Sequence, residues 1–224
     1  MLRAGGRAAS PARGRPPRHD ADRLLDAAAE LLAGGGPAAV TMSGVAKAAG
    51  APSGSVYHRF PDRPALLAAL WSRALRGFHD ELFAALSLGE PREAIRRSAR
   101  ASLEWARRNP REARVLLAGA QELDEQNWSE QARTDTARAD TALHDALSAL
   151  IEKSGDSAPD AADRALLAVV DLPYAMIKRY LNAGRQIPAH APELAEQAAA
   201  ALFAMRRSRT TNTRSVHHGH ETAQ

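Results

Sequence analysis

The sequence predicts an all-α protein of about nine helices, a small N-terminal helix-turn-helix unit followed by a larger C-terminal bundle. Three observations carry this. Apolar residues recur at helical spacing along almost every segment between residues 19 and 206, and none alternates convincingly like a strand. Gly/Pro breaks at Gly34-Gly35-Gly36, Gly50, Pro61, Gly89, Asn109-Pro110 and Gly184 separate these segments. Hydrophobic residues make up 45% of the 224, enough for a sizeable core, although only 4% are aromatic.

The first helix begins near Asp20 and places Leu24, Leu25, Ala28, Leu31 and Leu32 on one face. Thr41 is an N-cap for a second, short helix with Val45, Ala46 and Ala49 inward, and Gly50 closes it. A third helix covers roughly Ser53–Phe60 and stops at Pro61. Asp62 or Arg63 starts a fourth, with Pro64 in its first turn and a stripe of Leu67, Leu70, Ala74, Phe78 and Leu82. Further helices are predicted over Pro91–Arg108, Arg111–Leu117, Trp128–Lys153, Ala161–Ala183 with a kink at Pro173, and Pro192–Arg206. Residues 1–18 read as a disordered basic arm, 19–65 as the helix-turn-helix domain, 66–206 as the bundle and 207–224 as a disordered tail.

Charge is distributed unevenly. Residues 1–86 hold eleven Lys/Arg against seven Asp/Glu, whereas residues 87–206 hold sixteen against eighteen. The basic excess lies at the N-terminal end, where a polyanion would be met. Cysteine is absent, which excludes disulfides and thiolate metal sites. The first residues lack the apolar core of a secretory signal, and no apolar run is long enough to span a membrane, so a cytoplasmic location is expected.

The stretch from Gly50 to Pro61, GAPSGSVYHRFP, concentrates the functional signal. Ala46, Gly50 and Val56 have helix-turn-helix roles: a small residue for close helix approach, a glycine for a tight turn, an aliphatic lock. On a helical wheel Ser53, Val56 and Phe60 share the inner face. Gly54, Ser55 and His58 point the other way, flanked by Tyr57 and Arg59. So short a helix suits a rigid probe sized for a major groove about 12 Å wide. Gly54 and Ser55 allow close backbone approach to phosphates, and Tyr57, His58 and Arg59 offer donors to bases or phosphates. Arg63, Thr41 and the second helix's N-terminus are further phosphate contacts. Taken alone, the same residues also fit the exposed side of a connecting helix.

The run Thr41-Met42-x-x-Val45-Ala46-x-x-Ala49-Gly50-Ala51-x-x-Gly54-x-x-Tyr57-x-x-Phe60-x-x-Arg63-x-x-Leu66 resembles the DNA-binding region of TetR-type transcriptional regulators over roughly residues 20–80. The resemblance implies that Ser43, Ser53, Gly54, Ser55, Tyr57, His58, Arg59 and Arg63 lie at or near DNA. Three departures stand out. Pro52 occupies the position of a common capping serine, so capping is expected to fall to Ser53; Arg63 replaces the more usual lysine; and Pro64 replaces a common acidic residue. The arm's Arg13-Gly14-Arg15-Pro16 resembles an AT-hook core, which makes Arg13 and Arg15 candidate minor-groove contacts.

The resemblance further implies an effector domain and a homodimer joined through the last two helices. One stripe on them is Leu166, Val169, Val170, Pro173, Ile177 and Tyr180; the other is Leu194, Ala198, Ala201, Leu202 and Met205. Trp105, Leu117, Trp128, His144 and Met176 are candidate walls of a ligand cavity, and Gln121–Asn127 with Trp128 is an alternative mobile loop over its mouth. No phosphate loop, nucleophile elbow, His-Glu-x-x-His or Glu-x-x-His occurs, so no catalytic residue, cofactor or metal is expected. His217, His218 and His220 read as incidental. The expected function is a homodimeric, ligand-released repressor on a palindromic operator. A ligand-blind DNA-binding protein and a helical-bundle carrier or enzyme remain the alternatives.

Overall fold

The computed structural model describes residues 17–204, with side chains from 21 to 203. Arg13, Arg15, Met205 and the histidines at 217, 218 and 220 lie outside the described residues, as do most of the arm and the tail.

Among the described residues every regular element is a helix. The order is α1 (Pro17–Gly35), α2 (Met42–Ala49), α3 (Ser53–Arg59), α4 (Arg63–Leu86), α5 (Pro91–Arg108), α6 (Pro110–Ala118), α7 (Glu130–Ser154), α8 (Ala161–Leu166), α9 (Leu172–Asn182) and α10 (Ala191–Ala204). A π-helical turn, Leu167–Asp171, joins α8 to α9 into one rod, so the described residues form nine rods. That turn is the structural answer to Pro173. Proline has no amide hydrogen to bond the carbonyl four residues back. The preceding turn widens instead, and the Leu172 amide bonds the Leu167 carbonyl five residues back.

Two apolar clusters organise the rods. The first joins Leu24, Ala28 and Leu32 of α1, Val45 and Ala46 of α2, Val56 of α3, and Leu66, Leu67 and Leu70 of α4. The second joins Leu82 and Leu86 of α4, Ile95, Ala99 and Leu103 of α5, Leu147 and Leu150 of α7, Val169, Ile177 of α9 and Ala195 of α10. Helix α4, 24 residues and about 36 Å long, runs from one into the other. Ala191, Ala195 and Ala199, all fully buried, let α10 lie close on α5.

The first cluster also takes in Val115 of α6 and Leu123 and Trp128 from the α6–α7 connection. This connection consists of two 3₁₀ turns, Gln121–Leu123 and Glu125–Asn127. The head formed by α1–α3 and the start of α4 therefore completes its core with residues from the bundle. Helix α7 starts two residues later than Trp128, where the Ser129 Oγ accepts from the Ala132 amide at 3.2 Å. No described helix is long and apolar enough to cross a membrane.

Candidate nucleic-acid interface

Local chemistry sets the turn between α2 and α3. Extended Thr41 caps α2: its Oγ1 accepts from the Gly44 amide at 3.0 Å. Gly44 is required for closeness, because a Cβ there would lie 2.8 Å from that Oγ1. At the other end Gly50 has φ 61° and ψ 31°. Its amide bonds the Lys47 carbonyl, and the Ala51 amide bonds the Ala46 carbonyl at 2.9 Å. This paired pattern turns the chain sharply enough to send α3 across α2. Arg23 of α1 donates to the Ala49 carbonyl at 3.0 Å, placing a cation at the C-terminus of α2.

Helix α3 buries Val56 completely and Phe60 almost so. The expected capping by Ser53 is corrected: Pro52 is the N-cap, no side chain caps the helix, and Ser53 is its first residue. Ser53 is also exposed rather than on the inner face with Val56 and Phe60, because it precedes the first full turn. The outer face carries Gly54, Tyr57, His58 and Arg59, all exposed, with Ser55 half-buried. Tyr57 is 55% exposed, a large aromatic that the fold leaves unpacked. Thr41 and Ser43 are exposed at the start of α2. Asp62 caps α4 by accepting from the Ala65 amide at 2.8 Å.

Arg63 makes contacts within the head that its sequence neighbours do not mark. Its Nε donates to the Val40 carbonyl at 2.8 Å and one Nη to the Pro37 carbonyl at 2.7 Å, while the other Nη lies 4.0 Å from the Asp124 carboxylate. The guanidinium is folded inward, where it fixes the α1–α2 connection onto α4. About a third of the side chain stays exposed, so the same guanidinium positions the connection and still borders the surface beside α3.

The candidate ligand walls separate. Trp105 and Leu117 line an apolar cavity of about 100 Å³ with Phe78, Ile177 and Pro173. Met176 packs against the bundle core but is not among its lining residues. His144 is exposed on α7, its ring nitrogen 2.9 Å from the Asp140 carbonyl. Trp128 is 3% exposed in the head core, where its indole donates to the Leu123 carbonyl. It does not line the apolar cavity that Trp105 and Leu117 share.

The two expected dimer stripes also divide. Val169, Ile177 and Tyr180 are buried inside the bundle, with Leu166, Val170, Ala198 and Leu202 partly covered. The outward apolar residues are Leu167, Tyr174 and Leu194, each 41–51% exposed. The π turn adds a residue to the helical repeat and shifts which side chains face out.

Two functional-looking residues escaped the sequence reading. Arg73 of α4 pairs with Asp26 of α1 at 2.7 Å and Glu112 of α6 at 3.5 Å, tying head to bundle. His79, nearly buried on α4, lies edge-on to Phe83 at 5.1 Å and beside Phe78. Burial holds its pKa below the ordinary 6.5, against the opposing pull of Asp140 and Asp80. Helical periodicity alone marks neither residue. Among the described residues no group of His, Asp or Glu is arranged to hold a metal ion.

Residues 24–70 match the family model described as bacterial regulatory proteins, tetR family. An HTH-type transcriptional regulator of Mycobacterium tuberculosis is 36% identical over 91 residues, 40% of this chain and 45% of that one. The HTH-type transcriptional repressor KstR2 of Rhodococcus jostii is 41% identical over 83 residues, 36% of each chain. The chain thus spans less than half the length of these curated relatives. The crystal structure of the TetR family regulator PfmR from Thermus thermophilus shares the fold with a TM-score of 0.66 at 24% identity, over 84% of this chain and 97% of that one.

Proposed function

From the premise that residues 24–70 belong to the tetR family of bacterial regulatory proteins, we propose that the chain is a homodimeric repressor. It reads a palindromic operator through α3 and is released by a small-molecule effector. The observation that carries this reading is the exposed face of α3, where Tyr57, His58 and Arg59 stand on a helix anchored by fully buried Val56. A seven-residue helix anchored by one buried stripe and tipped with polar groups suits a major groove.

Dimerisation follows from the need to present two such probes one helical turn of DNA apart, about 34–36 Å. The exposed apolar residues Leu167, Tyr174 and Leu194 on the terminal helices are the surface for it. Effector release would pass through α4, which shares both cores. In the cell the partners are operator DNA, a second copy of the chain and the effector, and the place of action is the cytoplasm. The ligand-blind alternative is favoured by one observation: the apolar cavity of about 100 Å³ is well below the ~300 Å³ where small-molecule pockets usually begin.

The test is retardation of genomic fragments retained by the wild-type chain. A Tyr57→Ala/Arg59→Ala variant is expected to lose at least tenfold in affinity at matched salt while keeping its thermal midpoint. Unchanged affinity would falsify the assignment of α3 as the reading helix.

A further inference from the structure

We propose that the cleft between α5, α6 and the α9–α10 connection is an oxyanion site, taking a small molecule with a carboxylate or phosphate group. The proposal deepens the effector reading above by naming the chemical class of the effector, and it rests on that reading only for its regulatory consequence. The cleft has a volume of about 340 Å³ and is lined by Arg107, Arg114, Arg185 and Gln186 together with Leu181 and Ile187. That volume falls in the range of ordinary small-molecule sites.

Arg107, Arg114 and Arg185 all line the cleft, Arg114 half-buried and the other two exposed, and no carboxylate lines it. Among the described residues none of the three is in an ion pair, whereas Arg96, Arg97, Arg100 and Arg108 of the same α5 are all paired with glutamates. The three arginines are instead steered by weaker contacts. Arg107 Nε donates to the Ile187 carbonyl at 3.1 Å, and an Arg114 Nη to the Leu181 carbonyl at 3.3 Å. Arg185 lies 5.9 Å from the centre of the Tyr180 ring. Arg107 and Arg114 each spend one donor of five on these bonds and Arg185 spends none on its ring contact, so planar forks remain to meet an oxyanion in paired fashion. An anion held by these forks would meet positive charge with no carboxylate competing for it.

The walls explain why occupancy matters. Ala106, Arg114 and Leu181 face this cleft, and their neighbours Trp105 and Ala113, with Ile177 one turn away, face the apolar cavity on the other side of the same three helices. An anion bridging α5, α6 and the α9–α10 connection therefore sets helices that also touch α4.

Calorimetric titration of the full chain with hexanoate, inorganic phosphate and neutral hexanol tests the site. Saturable binding of at least one anion, one per chain, is expected, with none of hexanol. An Arg114→Gln/Arg185→Gln variant, checked by circular dichroism and thermal midpoint, is expected to bind that anion at least tenfold more weakly. The proposal falls if neither anion saturates below ~10 mM, if hexanol matches hexanoate, or if the folded variant binds as wild type does. It also falls if no anion binds and the variant alone loses DNA affinity, since the arginines would then belong to a phosphate-backbone surface. Anion binding without any change in DNA affinity would keep the site and reject effector release; release by a neutral ligand with no anion binding would do the reverse.

Discussion

Trp71 and Trp128 stack at a tilt, their ring centres 6.2 Å apart, although one lies in α4 and the other at the far end of the α6–α7 connection. Through this pair the bundle supplies part of the core on which the helix-turn-helix rests. Trp128 is held further by its indole bond to the Leu123 carbonyl at 2.8 Å.

Trp128→Ala should therefore destabilise the head more than the bundle, by about 3–5 kcal/mol, the usual cost of removing a large buried aromatic. Hydrogen exchange resolved by segment is the measurement: protection should drop in α1–α3 and persist in α5 and α10. Trp128→Phe should recover most of it, leaving the indole bond as the deficit.

Arg63→Ala should cost about 1–3 kcal/mol, because two carbonyls at the α1–α2 connection lose a charged donor. Arg63→Lys should recover only part, since one ammonium cannot reproduce the fork that meets Val40 and Pro37 together. Urea denaturation of the three proteins checks this order. If Arg63→Ala were as stable as wild type but bound DNA poorly, an outward phosphate role would account for it.

His79 makes stability depend on pH. Its folded pKa lies below the ordinary 6.5, chiefly because burial disfavours the charged ring. The unfolded chain then binds the proton more readily, so this contribution is complete above 6.5 and is lost as pH falls below that value towards the folded pKa. A His79→Phe variant should show a flatter midpoint between about pH 7 and pH 5 than wild type. Parallel curves would remove His79 as the cause.

Tyr174→Glu with Leu194→Glu should leave each chain folded, since both side chains are substantially exposed, yet prevent pairing by placing charges in an apolar contact. Sedimentation equilibrium should report a monomer, and retarded DNA complexes should weaken by more than tenfold. A dimer that survives both substitutions would move the interface elsewhere.

Much of the site was readable because it depends on local rules. Thr41 as a cap, Gly50 as a left-handed turn, buried Val56 and Phe60, and the exposed row from Tyr57 to Arg59 follow from residue type and spacing of three or four. The capping of α3 was misread because a proline that cannot cap by side chain still sets the backbone angles for helix entry, leaving Ser53 inside the helix. The inward contacts of Arg63 are not legible because its partners, Pro37, Val40 and Asp124, are 23 or more residues away and two of them are carbonyls, which sequence does not mark.

The all-α class, the order of the helices and the turn that presents α3 are legible in the residues alone, because each is set by interactions within a few positions. Long-range packing sets the rest: Trp128 belongs to the head, Val169 and Tyr180 face inward while Leu167 and Tyr174 face out, and Arg107, Arg114 and Arg185 line one cleft. Those outcomes depend on how rods cross and on a π turn that shifts the helical repeat, and both are settled by packing between residues far apart in the chain.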